Sequence, residues 1–557
     1  MRASALLIYA LLTAAGTASQ MRSFDLVVYG GTAAGVITAV AAAREGLTVA
    51  LAEPGVHLGG LVSGGLGRTD HGKKEVIGGL SLEFFERVGR HYGEPITWYF
   101  EPSVAEKIFR DMATEAGVTV FQRARMQEKD GARKRGRRLS EIRLENGGVL
   151  VGTVFADATY EGDLMAQAGV SFTWGREGEA EYGESLAGVR ERTPKHQFTV
   201  RVSPYDAAGR LLPEVQPGPK GAPGAADRKV QAYNFRLCMT QAVANRAPFP
   251  KPDGYTPARY ELLARLIRAL IAKNGRPPRV GELMNPLPLK NGKYDTNNNG
   301  AFSTDYLGGS WEYPNADYRT RDRIWRAHRD YMAGFFYFLG HDAQVPQELR
   351  DEMNTWGLCK DEFVATGNWP HQLYVREARR MVGEYVMSQK DIQTALAKPD
   401  VIGMGSYNSD SHNVTRIPTS ACHPSEAAKR SASGGRRRPR PSDAMTPREM
   451  NEDCAVENEG DMQVPVTPYQ IPYRLMVPKR HEASNLLVPV AFSATHVAYS
   501  TLRMEPQYMI IGHAAGIAAK LAIDAGLPVQ DIDIAVLQRR LRQQRAIFEW
   551  VKPTSTP

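Results

Sequence analysis

Cysteine is scarce: Cys238, Cys359, Cys422 and Cys454 are the only four in 557 residues. None forms a C-x-x-C pair. The four are scattered, which excludes a self-contained iron–sulfur cluster, whose thiolates come closely spaced. Cys422 and Cys454 flank a basic segment and could pair across it, which spacing does not decide. Metal-ligand patterns are missing too. There is no H-E-x-x-H and no EF-hand loop, so no metal site is expected. G-x-S-x-G is absent, so a hydrolase nucleophile elbow is not indicated. Beyond residue 20 no stretch approaches the roughly 18 uninterrupted apolar residues of a membrane span. No internal repeat is present. The net charge is +8, but much of it could come from one run, 429–440. That reads as a solvated basic loop, not a nucleic-acid surface.

What is there begins at 24–53, FDLVVYGGTAAGVITAVAAAREGLTVALAE. Residues 24–29 are a short apolar strand. Gly30-Gly31-Thr32-Ala33-Ala34-Gly35 is a tight turn. Residues 36–44 are a helix of small residues closed by Gly46, and 47–52 are a second strand ending on Glu53. This is the mononucleotide half of a dinucleotide-binding βαβ unit. Gly30 lets the strand turn into the helix, and Gly35 lets the helix approach the sheet. The helix start favours a pyrophosphate. Glu53 stands where an acid accepts bonds from ribose hydroxyls. Thr32 replaces the middle glycine, which crowds the approach to phosphate.

Further along, 54–67 carries six glycines and is expected to be neither helix nor core strand; such backbone lets a large flat ligand come close. Helices are expected at 80–89 and 104–116, a strand at 117–121, and a hairpin from 139–144 and 149–155. Residues 203–230 read as a loop. Thr256-Pro257 reads as the capped start of a helix closed near Asn274-Gly275. Residues 319–339 form an amphipathic helix whose aromatics belong to a core. Residues 418–457 look inserted, polar and aperiodic. A strand is expected at 486–492, and helices at 505–525 and 533–544. At the N-terminus, Arg2, the apolar run 6–12 and Gly16-Thr17-Ala18 compose a signal peptide. Only one arginine precedes the apolar run, so a twin-arginine export route for a folded protein is not indicated.

Four segments now carry a resemblance: 24–53, 59–67, Asp157-Ala158-Thr159-Tyr160-Glu161-Gly162-Asp163, and Arg503-Met504-Glu505-Pro506 running on to Gly512-His513-Ala514-Ala515-Gly516. Together they resemble the FAD-dependent oxidoreductase family of the glutathione-reductase-like flavoproteins. Its relatives include the flavin domain of heterodisulfide reductase and proteins labelled xanthan lyase-like. The resemblance implies an α/β fold: a discontinuous Rossmann-like FAD-binding domain with an inserted α+β substrate or cap domain. The implied division is a signal peptide at 1–20, FAD-binding segments at 21–170 and 459–557, a cap at 171–415, and a disordered basic insertion at 416–458. It implies FAD as cofactor. Gly30, Gly31, Thr32, Ala34 and Gly35 would hold the pyrophosphate and Glu53 the ribose. Gly59, Gly60 and Leu61 would lie on the flavin side, Met126, Ala158 and Asp163 near the adenine, and Glu505 and Pro506 at a helix start facing the flavin ring.

A hydride donor such as an alcohol needs a base near the flavin. His496 is the first candidate, with Tyr499 and Arg503 beside it; His412 is second and His71 third. A buried histidine that only satisfies backbone groups is an equally good reading of His496. His57 could tether a flavin covalently. Asn297-Asn298-Asn299-Gly300 with Ser303-Thr304-Asp305, and Trp311-Glu312-Tyr313, could hold a carbohydrate-like ligand, or be ordinary loop. The expected function is an exported, periplasmic or secreted FAD-dependent oxidoreductase. It would act on a small organic substrate with an unidentified electron acceptor, without nucleic acid or a further membrane anchor. A nicotinamide dehydrogenase, a lyase or binding protein on a flavoprotein fold, and a cytoplasmic protein whose first 20 residues are no signal are the alternatives.

Overall fold

The computed structural model describes residues 21–394, 396–419, 422 and 454–552. The expected signal peptide at 1–20 and most of the basic insertion lie outside the described residues.

The first strand, β1 (Met21–Tyr29), runs into helix α1 (Ala33–Arg44) and then strand β2 (Val49–Ala52). Strands β3 (Thr119–Phe121), β4 (Ala132–Arg135), β5 (Arg138–Arg143) and β6 (Val149–Asp157) complete the N-terminal part of one sheet. Its order is β3-β2-β1-β6-β5-β4. The first four are parallel to one another; β4 and β5 run antiparallel as a hairpin. Parallel strands are buried on both faces, and β1 shows it: Leu26 and Val28 belong to one hydrophobic cluster, Val27 and Tyr29 to the other. Alternate side chains point to opposite faces, so one apolar strand serves two cores.

The far C-terminal part returns to this sheet. Leu486–Leu487 pairs in parallel with Phe155 and Ala156 of β6, on the edge that β5 occupies at Val149–Val151. The strand expected over 486–492 is therefore only two residues long; the chain must turn away to reach the helix His496–Leu502. The following helix, Glu505–Ala525, is apolar and long enough to cross a membrane, yet it lies buried against α1 as a core helix. Gly512 and Gly516 make that contact possible. A Cβ on Gly512 would meet Ala34 O at 2.5 Å, and one on Gly516 would meet Thr38 O at 2.5 Å. Both residue numbers climb together, so the two helices run parallel and bring their N-termini to the same end.

Between these halves lies a five-stranded antiparallel sheet. Its order is Met284–Pro288, Lys293–Asn298, Leu237–Thr240, Gly357–Cys359, Arg246–Ala247. The helices Glu261–Asn274 and Tyr318–His341 share its hydrophobic core; Tyr331, Phe335 and Phe338 are fully buried there. Ion pairs and hydrogen bonds tie this middle region to the βαβ part. Asp163 pairs with Arg321 (2.7 Å) and Arg379 (2.6 Å), and Glu362 accepts from Ser103 N–H (2.9 Å) and hydroxyl (2.8 Å).

Local corrections follow from capping and packing. α1 starts three residues earlier than periodicity predicts, because Thr32 is its N-cap. The glycine run contains one helical turn, Gly60–Ser63, entered through Gly59 in the left-handed region. Thr256 makes no cap bond; Pro257–Tyr260 is a 3-10 turn preceding the α-helix. The insertion has a stem, since Arg416–Pro418 pairs antiparallel with Val456–Asn458. Arg416 is buried, its guanidinium over Phe302. Cys422 Sγ lies 3.8 Å from Ala455 O, which brings it beside the neighbour of Cys454.

Candidate active site

The turn after β1 is packed on three sides. Gly30 has φ +101°, and a Cβ there would come within 2.8 Å of Ala158 C and Thr159 N. A Cβ on Gly35 would fall 1.9 Å from Gly30 O. The Thr32 hydroxyl accepts from Gly35 N–H (3.1 Å) and donates to Ala158 O (2.7 Å). The residue that departs from the glycine pattern thus caps the helix and ties it to the end of β6. Glu53 accepts from Gly31 N–H at 2.7 Å and Gly55 N–H at 2.6 Å. Burial raises its pKa to about 7, although those two bonds oppose the shift. Gly59 N–H donates to Gly31 O (2.7 Å), which fastens the glycine run to the turn.

These residues border a cavity of about 290 Å³ lined by Gly30, Thr32, Glu53, Gly60, Tyr160 and Glu161, with Tyr313 and His371 from the cap side. His371 stacks on His57 at 3.8 Å. Both His371 ring nitrogens are buried without a hydrogen-bond partner among the described residues. Burial lowers its pKa to about 3, so it is a neutral ring facing the cavity. His57 itself is bound through Nδ1 to Glu106 at 2.9 Å.

At the other end, the N-terminus of the Glu505–Ala525 helix meets the same wall. Leu61 N–H donates to the Tyr160 hydroxyl (2.8 Å), which donates to Glu505 Oε1 (2.8 Å). Glu505 Oε2 and both amide atoms of Gln507 are buried and have no partner among the described residues. Pro506 O accepts from the Ser81 hydroxyl at 3.1 Å. A dinucleotide fits this arrangement: two helix N-termini at one end of the molecule, a glycine cradle that any Cβ would fill, an acid at the ribose position, and orphaned polar atoms beyond. Of the expected residues Gly30, Thr32, Glu53 and Gly60 line the cavity; Gly31, Ala34, Gly35, Gly59, Leu61, Ala158, Glu505 and Pro506 belong to the turn, strand end and helix start around it without lining it. Met126 and Asp163 do not line the cavity. Met126 is in the core on the opposite sheet face, its N–H donating to Tyr29 Oη (3.0 Å). Both Asp163 oxygens are taken by the two cap arginines.

The histidines separate by environment. His71 is half-buried, its Nδ1 on Gly72 O (2.8 Å) and its Nε2 3.4 Å from Tyr99 Oη. His412 is buried, with Nδ1 2.6 Å from Asp305 and Nε2 3.9 Å from Asp410. Burial, then Arg376, lowers its pKa to about 4. His496 is buried with Nδ1 2.7 Å from Glu377. Against the upward push of burial, His496 and Arg380 bring Glu377 down to about 2, so it is a carboxylate. His496 Nε2 has no partner among the described residues. Gln231 joins the two carboxylate–histidine pairs: its N–H donates to Glu377 (3.1 Å) and its Oε1 accepts from His412 N–H (2.9 Å). Arg503 reaches Asp410 O at 2.8 Å and Tyr374 Oη at 3.3 Å, with Nε orphaned. Tyr499 bonds Tyr508 hydroxyl to hydroxyl at 2.7 Å, and Tyr508 lies 6.3 Å ring to ring from Tyr160. This runs from the helix of His496 to the cofactor wall.

Glu377, Gln231 and Arg376 were not singled out from the sequence; Asp305 was, but as part of a polar ligand-holding segment and not as the partner of His412. They lie in unpatterned stretches that only the fold brings together. Tyr160 did carry a signal, its place in the DATYEGD segment, but no role could be read there.

The family profile described as FAD dependent oxidoreductase matches residues 25–541. No curated protein matches the chain. Among solved structures, THI4 of Thermovibrio ammonificans is 17% identical with a TM-score of 0.22, over 29% of this chain and 72% of that one. L-proline dehydrogenase from P. horikoshii is 15% identical with a TM-score of 0.23, over 28% and 59%. Glycine oxidase from Geobacillus kaustophilus is 14% identical with a TM-score of 0.22, over 27% and 60%.

Proposed function

The chain belongs to the FAD dependent oxidoreductase family, and on that footing we propose that it oxidises a small hydroxylated organic substrate by hydride transfer to the flavin. The enzyme class and the cofactor, FAD, follow from the family. The substrate class, the direction of transfer and the residues that perform it are the proposal. FAD supplies the hydride acceptor when bound. The Gly30–Gly35 turn and Glu53 hold its nucleotide end, and the wall at Leu61, Tyr160 and Glu505 receives the other.

His496 removes the hydroxyl proton. The observation that carries this is the Glu377–His496 contact of 2.7 Å. The carboxylate holds the proton on Nδ1, leaves Nε2 as the acceptor, and stabilises the imidazolium that forms. His412 has a similar carboxylate on Nδ1, but burial, then Arg376, lower its pKa to about 4, which makes it a poor base. Carbohydrate-like polyols are the substrates to try first, since Asp305 of the polar–aromatic segment holds His412, which Gln231 joins to the Glu377 carboxylate of the proposed base. The reading extends to a place among the glutathione-reductase-like flavoproteins and to export; export rests on residues 1–20.

The test is anaerobic reduction of the FAD-loaded protein by a panel of polyols and simple alcohols, read as loss of visible flavin absorbance. His496→Asn is expected to slow reduction by roughly 10²–10⁴-fold at unchanged flavin content. Near-normal reduction in that variant removes His496 from the reaction. If no hydroxylated compound reduces the flavin while amines do, the substrate class is wrong.

A further inference from the structure

The cap sheet places two of the four cysteines against each other. Leu237–Thr240 and Gly357–Cys359 pair antiparallel with Thr240 opposite Gly357 and Met239 opposite Leu358. Carried one position further, that register sets Cys238 opposite Cys359, both of them free thiols. Burial, and then the neighbouring Cys359, push the Cys238 thiol up, and both residues are buried, at 1% and 0% exposure. Directly opposed residues on antiparallel strands have Cα atoms about 4.5–5.5 Å apart, inside the roughly 4.4–6.8 Å range that a disulfide spans without moving backbone. Nothing in the oxidoreductase chemistry uses this pair: the cavity is lined by other residues.

We propose that Cys238 and Cys359 are a disulfide-forming pair that staples the cap sheet when the protein folds in an oxidising compartment. The oxidant is a low-molecular-weight disulfide such as oxidised glutathione. One cysteine thiolate attacks it, forming a mixed disulfide and releasing one small thiol. The second thiolate then displaces the other small thiol. Two protein thiols lose two electrons and two protons, and one small disulfide becomes two thiols. Because both thiols are buried in the folded chain, the reaction belongs to folding, before the sheet closes.

The staple acts at a junction. The residues that follow Cys359 carry the anchor of the cap: Lys293 pairs with Glu101 (2.6 Å), Asp361 (2.8 Å) and Glu362 (2.8 Å), and Glu362 holds Ser103 at the start of the helix Pro102–Glu115. A bond from Cys359 to the central strand of the sheet therefore fixes the strand from which the cap grips the nucleotide-binding part. A link between positions so distant in sequence also restricts the unfolded chain strongly.

The experiment refolds the full chain with FAD in a mixture of reduced and oxidised glutathione. Alkylation in denaturant and peptide mapping without reduction follow. The expected result is a peptide joining Cys238 to Cys359, abolished by Cys238→Ala and by Cys359→Ala, and an unfolding temperature that falls when reductant is present during refolding. Separate alkylated peptides for Cys238 and Cys359 in flavin-loaded wild-type protein overturn the proposal, whatever Cys422 and Cys454 do. If an alanine variant fails to fold, the wild-type map alone decides.

Discussion

The hydroxyl of Tyr160 donates to Glu505 Oε1 at 2.8 Å, across 345 positions of sequence. It joins the DATYEGD segment to the start of the C-terminal core helix, and through Leu61 N–H to the glycine run. Burial holds Glu505 up at about 8 while Tyr160 opposes the shift, so at neutral pH it is a carboxylic acid with Oε2 available.

That protonation has a measurable sign. The folded value lies above the ordinary 4.5, so folded protein keeps the proton while unfolded chain loses it. The contribution of Glu505 to stability is therefore full below about pH 4.5 and declines as pH rises to about 8. Urea unfolding of the flavin-free protein is predicted to show a steeper loss of stability over that window in wild type than in Glu505→Gln. Parallel pH profiles for the two would show that Glu505 ionises normally.

Thr32 was the weak point of the fingerprint, and its two hydrogen bonds make it a structural cap. Thr32→Ala is predicted to cost about 0.5–2 kcal/mol, the usual range for losing an N-cap side chain. Thr32→Ser should recover most of it. Chemical denaturation checks both. If alanine is neutral, the bond to Ala158 O contributes nothing net.

The parallel packing of α1 on the C-terminal helix depends on a missing side chain. In Gly516→Ala the new Cβ would sit 2.5 Å from Thr38 O and 2.6 Å from Ala41 Cβ. A loss of about 1–3 kcal/mol is predicted from overpacking. Gly281→Ala is the control: nothing lies within 4 Å, and a change within about 0.5 kcal/mol is expected. Equal midpoints for the two variants would contradict the contact.

Glu53 accepts two backbone N–H bonds and has a pKa of about 7. As an ionised acceptor it binds ribose hydroxyls better than as an acid. FAD affinity of the apoprotein is predicted to rise as pH climbs through about 7, and this part of the pH dependence should vanish in Glu53→Gln. Fluorescence titration with FAD at several pH values measures it. A pH-independent affinity in wild type would place the ribose elsewhere.

Local order along the chain decided the βαβ unit, its glycines and the terminal acid. A strand, a turn and a helix within thirty residues need only hydrophobic period and backbone freedom, and both are written in 24–53. The apolar, alanine-rich helix Glu505–Ala525 with its Gly526 stop was legible for the same reason. What the chain order did not show is which distant residues meet. Glu377 beside His496, Gln231 between two histidines, Tyr160 under Glu505 and Cys238 across from Cys359 are contacts made by sheet register and helix packing. Composition carries no trace of them. Sequence did propose FAD through a resemblance of four separated segments. Only tertiary structure showed that a helix joined to the rest late in the chain lies parallel to α1 on two glycines, so that both N-termini lie at the same end. The reason is geometric: a short-range pattern sets each element's conformation, while the free energy that chooses its neighbours is spread over side chains hundreds of positions apart.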